Sequence, residues 1–193
     1  MCGFSLVKGN FEKGKFVAIC PSKTLLAPSL RGKSIVEWFG VLGVIFTRLR
    51  YPFRHLYCAY LGSTIPIYLV MAKNYPIFWP HPDTTIPNYA REVMTQCAEE
   101  VLIGDVFDWD PETWLVSYDG SHDRDALKVN QPTGKYSEYV EFYQNIVGEK
   151  FGVLCLTPMN ISNLRGIVKK SLERTFKPRQ KSQRDAHNKY NRQ

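Results

Sequence analysis

Four histidines, His55, His81, His122 and His187, are the side chains of this chain best suited to move protons near neutral pH. No two of them stand at HExxH or HxH spacing, so a zinc-hydrolase reading has no support. His81 lies in the loop tripeptide His81-Pro82-Asp83, and His122 lies in Gly-Ser-His-Asp-Arg-Asp. Either is a candidate base for an enzyme acting on lipid, but no nucleophile motif accompanies them. There is no P-loop, no GxGxxG and no GxSxG. The residues therefore nominate no catalytic group and no cofactor.

The acidic cluster Asp105, Asp108, Asp110, Glu112 and Asp119 invites a calcium loop. Counted from Asp108, position 6 is Thr113 where an EF-hand needs glycine, and position 12 is Asp119 rather than a bidentate glutamate. Turn chemistry around a short strand, Trp114–Tyr118, is the expectation instead. The cysteines are Cys2, Cys20, Cys58, Cys97 and Cys155, odd in number and widely spaced. They form no CxxC pair and no disulfide framework and read as buried, reduced thiols.

Charge is distributed in blocks. Residues 1–80 hold ten Lys/Arg against two acids, residues 81–150 hold five against fourteen, and residues 165–193 hold ten against two. Blocked charge suits a protein with different partners on different segments. The basic segments 1–54 and 165–193 would attract RNA phosphates, with Tyr190 and His187 available to stack on bases. They would equally attract anionic lipid, cardiolipin included.

The elements that must position these residues are set by hydrophobic pattern. Leu56–Ala72, LYCAYLGSTIPIYLVMA, is seventeen residues without a charge, bracketed by Arg54 and Lys73. At about 1.5 Å per residue it makes roughly 25 Å of helix, just under the hydrocarbon thickness of a bilayer. It is read as a transmembrane helix over 52–73, kinked at Pro66, with a buried core helix as the alternative. Ala59, Ser63 and Pro66 would mark its packing face. Arg48, Arg50, Arg54 and Lys73 would set its depth against lipid headgroups.

Upstream, Ser34-Ile35-Val36-Glu37 has the form of a capping box opening a helix from Ile35 to about Arg50. Its aromatic and arginine ends suit a helix lying in the membrane interface. Further elements are a strand over Phe16–Cys20, helices over Ile86–Ile103, Ser137–Val147 and Ser162–Phe176, and a strand over Phe151–Leu156. The sequence is therefore read as mainly α with minor β. It divides into an irregular segment 1–33, a membrane-associated helical region 34–73, a small α+β extramembrane domain 74–176 and a basic tail 177–193. The matching function is a non-catalytic accessory subunit of a mitochondrial inner-membrane complex, respiratory or ATP synthase. Its partners would be other subunits of that complex, its N-terminus would lie on the matrix side, and its span would hold the assembly together. The alternative is an RNA-associated protein such as an organellar ribosomal protein.

Overall fold

The computed structural model describes residues 3–21, 35–101, 107–118, 134, 136–148 and 152–176. Ser34, Asp105, Asp119, His122 and the tail from Lys177 lie outside them, so the capping box and the tail are not placed. Six strands form one sheet: β1 (Phe4–Phe11), β2 (Gly14–Pro21), β3 (His55–Gly62), β4 (Phe107–Trp109), β5 (Leu115–Tyr118) and β6 (Gly152–Pro158), in the order β1-β2-β3-β6-β5-β4. Five helices accompany them: α1 (Ile35–Arg50), α2 (Ile65–Asn74), α3 (Asn88–Val101), α4 (Ser137–Val147) and α5 (Ile161–Phe176).

This corrects the mainly helical, membrane-spanning reading. The uncharged run Leu56–Ala72 is not one helix. Its first part is β3, the third strand of the sheet, paired on both edges and buried on both faces, with Leu56, Tyr57, Cys58, Ala59 and Tyr60 all in the core. A strand covered on both faces reads as an unbroken apolar run rather than an alternating one. The run then turns at Ser63-Thr64. Thr64 adopts extended backbone angles and its side chain accepts a hydrogen bond from the Ile67 N–H at 3.4 Å, capping α2. Pro66 stands in the first turn of α2, where its missing N–H costs nothing, and so it starts the helix instead of kinking one. α2 has ten residues, about 15 Å of helix. Among the described residues no helix is long and apolar enough to cross a membrane.

The sheet is antiparallel except for one pair. β1 and β2 form a hairpin turned at Glu12-Lys13, with Gly14 at φ +121°, a conformation that side chains resist. β2 and β3 run parallel, joined through α1, and every other pairing is antiparallel. Strand alternation sorts the core into two layers. Phe11, Phe16 and Tyr57 meet edge to face on one side of the sheet, where Tyr89 of α3 joins Phe11 and Trp79. On the other side Phe4 packs on Phe39 and closes on Gly43 of α1, and α5 and α2 pack in succession beyond it, with α4 against α2. Asn163 of α5 is fully buried and ties that layer together. It accepts from the Ile77 N–H (3.1 Å) and donates to the carbonyls of Ile77 (2.8 Å) and Pro158 (2.6 Å).

Candidate functional site

The parallel pair is where the sheet changes its habit, and its registered ladder is short. Register runs from Phe16 opposite His55 to Ile19 opposite Cys58 and stops there, although both strands continue. The cause is in the sequence. The next pair would set Cys20 against Ala59 and draw its hydrogen bond from the N–H of residue 21, which is proline and has none. The Leu56 carbonyl faces β6, where it accepts from the Met159 N–H at 2.8 Å. Alternation therefore turns the backbone groups of Ala59 and Leu61 toward β2. Leu61 stands beyond the last registered pair, and alternation turns its N–H and C=O toward the β2 side.

Ligands of sheets with helical crossovers collect outside the carboxyl ends of parallel strands, where the connections diverge. Here β2 and β3 end together at Pro21 and Gly62, and the crossover enters α1 at Ile35. A helix N-terminus attracts anions through its free N–H groups. The residues leading into it read Leu30-Arg31-Gly32-Lys33-Ser34: two cations around a glycine and a hydroxyl. They lie outside the described residues. On the β3 side, Ser63 and Thr64 follow at the mouth, both half-buried.

The thiols near this opening are not nucleophiles. Burial pushes the Cys58 thiol up to about 12, and it does the same for Cys155. Cys97 of α3 is raised by a hydrogen bond shared with Cys20 and by burial. All stay neutral near pH 7, and a neutral thiol attacks poorly. Tyr60 is fully buried beside Cys155, its pKa raised by burial, and its hydroxyl finds no nitrogen or oxygen partner.

The residues singled out from sequence lie elsewhere or in other roles. Ala59 is in β3, Ser63 in the following turn and Pro66 at the start of α2, so they do not share a helix face. Arg48 donates to the carbonyls of Arg54 (3.0 Å) and Met159 (3.5 Å), and Arg54 donates to that of Phe16 (3.1 Å). Arg50, Arg54 and Lys8 gather over the Tyr51 ring. The hydrogen bond from Lys8, with the two arginines adding, lowers the Tyr51 pKa. Lys73 lies over the Tyr136 ring, in the last turn of α2. His55 meets Phe11 edge on.

His81 has both ring nitrogens engaged. Nδ1 accepts from the Asp83 N–H (3.1 Å), which leaves Nε2 to carry the proton of the neutral ring, 3.2 Å from the Tyr139 hydroxyl. That makes it a structural link between a loop and α4. Asp110 is spent on its own turn, accepting from the N–H groups of Glu112 (2.8 Å) and Thr113 (3.4 Å) and from the Thr113 hydroxyl (2.7 Å). Among the described residues no group of three or more acidic, histidine or cysteine side chains could hold a metal ion.

No family model matches the chain, and comparison with curated proteins and with solved structures finds no match.

Proposed function

We propose that the chain binds a coenzyme A thioester at the opening of β2 and β3 and transfers its acyl group. The single observation that carries this reading is the end of the parallel register at Ile19 and Cys58, which leaves Ala59 to Gly62 of β3 without a registered partner in β2, at the switch point of the sheet. A ligand suited to it needs phosphates for the N-terminus of α1 and an extended, amide-bearing arm to run along a strand edge. Coenzyme A combines both.

The chemistry would be direct. With Cys58, Cys97 and Cys155 neutral, none of these three offers a covalent relay; an amine or hydroxyl acceptor would attack the thioester itself, breaking its C–S bond, and the acceptor's proton would pass to the departing coenzyme A thiolate. The Leu61 N–H would be the donor to steady the developing oxyanion on the thioester carbonyl. Arg31 and Lys33, which precede α1 in the sequence, carry the charge that phosphates would need.

The accessory-subunit reading took its warrant from a span that is divided between β3 and α2. The RNA-associated reading has charge alone as its support. Isothermal titration tests the proposal, using coenzyme A, acetyl-coenzyme A, adenosine 3′,5′-diphosphate and pantetheine. Coenzyme A should bind with Kd on the order of micromolar, and each fragment about tenfold or more weaker. Joint replacement Arg31→Ala and Lys33→Ala should cost about tenfold or more. No heat from coenzyme A at millimolar concentration would sink it.

A further inference from the structure

α1 is apolar almost all the way round, and the sheet covers only half of it. Val41, Val44 and Thr47 are buried against the sheet. Leu42, Ile45, Phe46 and Leu49 are exposed, spaced so that they form one stripe on the opposite face, and Phe39, packed on Phe4, borders it. Phe53, in the turn after the helix, is 97% exposed. α5, packed beside α1, adds exposed Ile161, Val168 and Leu172. Solvent-facing aromatic and aliphatic groups in such numbers mark a contact surface.

The charge on these elements says what covers it. In sequence, α1, the turn 51–54 and α5 carry seven basic residues, Arg48, Arg50, Arg54, Arg165, Lys169, Lys170 and Arg174, against two acids, Glu37 and Glu173. The seventeen residues that follow α5 in the sequence carry six more Lys/Arg against one acid, Asp185. A second copy of the chain would bring apolar groups but set like charge against like. An anionic lipid surface meets both features, with acyl chains for the stripe and headgroup phosphates for the rim.

We infer that the chain docks on anionic membranes as a peripheral protein, with α1 lying in the headgroup layer and Phe46, Leu49 and Phe53 entering the acyl boundary. The geometry places it on the bilayer and not across it. The stripe shares α1 with the proposed coenzyme A site, but Phe46, Leu49 and Phe53 lie at the C-terminal end of that helix and beyond it, so either proposal can fail without the other.

The test is co-sedimentation of the full chain with phosphatidylcholine vesicles containing or lacking about one third phosphatidylserine. Binding should need the anionic lipid and weaken as salt rises. Phe46→Ser with Leu49→Ser, and separately Phe53→Ser, should each lower partitioning about tenfold or more while the circular dichroism melt is kept, because these side chains are exposed. Three outcomes would overturn the inference: no binding at low salt, equal binding to neutral vesicles, or binding indifferent to all three substitutions. A concentration-dependent dimer abolished by Phe46→Ser, with no vesicle binding, would also overturn it and assign the stripe to a second copy.

Discussion

Continued past Ile19 and Cys58, the register of β2 and β3 would ask Pro21 for a donor to the Ala59 carbonyl, and proline has none to give. The opening of the sheet is thus written into one residue. Replacing Pro21→Ala supplies the N–H without adding bulk. The ladder should then extend by a pair, leaving the melting temperature unchanged or slightly raised, while coenzyme A affinity falls several-fold. Unchanged affinity in calorimetry would mean that something other than the missing donor holds the crevice open.

A strand followed by a capped helix responds to charge differently from one continuous span. Ala59 is 2% exposed in β3, whereas Ile67 is 39% exposed on α2. Ala59→Glu should cost about 4 kcal/mol or more, through an unpaired buried carboxylate and overpacking, and should leave little folded protein. Ile67→Glu should stay within about 0.5 kcal/mol of the parent. Urea unfolding of the two variants checks this, and equal damage from both would contradict the division of the run at Ser63-Thr64.

Asn163 is the polar tie of the helical layer. Asn163→Ala strips partners from the Ile77 N–H and from the carbonyls of Ile77 and Pro158. A loss of about 2–3 kcal/mol is expected in the denaturant midpoint at constant slope. Asn163→Asp keeps the acceptor but loses the two donated bonds and buries a charge, so it should be no milder. A loss below about 0.5 kcal/mol for either variant would show that the amide is dispensable.

Alkaline pH should weaken the fold through its thiols. Cys58 and Cys155 rise from the ordinary 9.0 to about 12 in the folded chain. Below pH 9 both states hold the proton, and the favourable balance is intact. Above 9 the unfolded chain loses its thiol protons while the folded chain keeps them, so stability falls as pH climbs from 9 toward 12. Cys58→Ala should flatten that slope. In native protein near pH 8 both thiols should resist alkylation and react once urea is added. Prompt native labelling would contradict their burial.

Much of the secondary structure was legible in the sequence. The helices over Ile35–Arg50 and Ser137–Val147 stand as their periodicity implied, and the strand at Phe16–Cys20 extends by a few residues into β2. β3 was misread because period-2 alternation appears only when one face meets water, and β3 has none that does. The signals that divide the run were present as Gly62-Ser63-Thr64 before Pro66, a turn, a cap and a first-turn proline. They were outweighed by the absence of charge. β1 escaped because Phe4–Phe11 alternates weakly and includes Lys8, Gly9 and Asn10. The candidate site was not visible: Arg31 and Lys33 counted only as part of the basic segment 1–54. What could not be read was which strand lies beside β2. That depends on non-local pairing across α1.

The central claim is that coenzyme A lies along the open edge of β3. The most direct measurement is an amide ¹H–¹⁵N titration of the chain with coenzyme A. The account predicts that the Leu61 amide, with its neighbours from Ala59 to Ser63, shifts on saturation while α4 and the His81 loop do not. A Leu61 amide unmoved at millimolar coenzyme A, or shifts confined to surfaces away from β2 and β3, would contradict it.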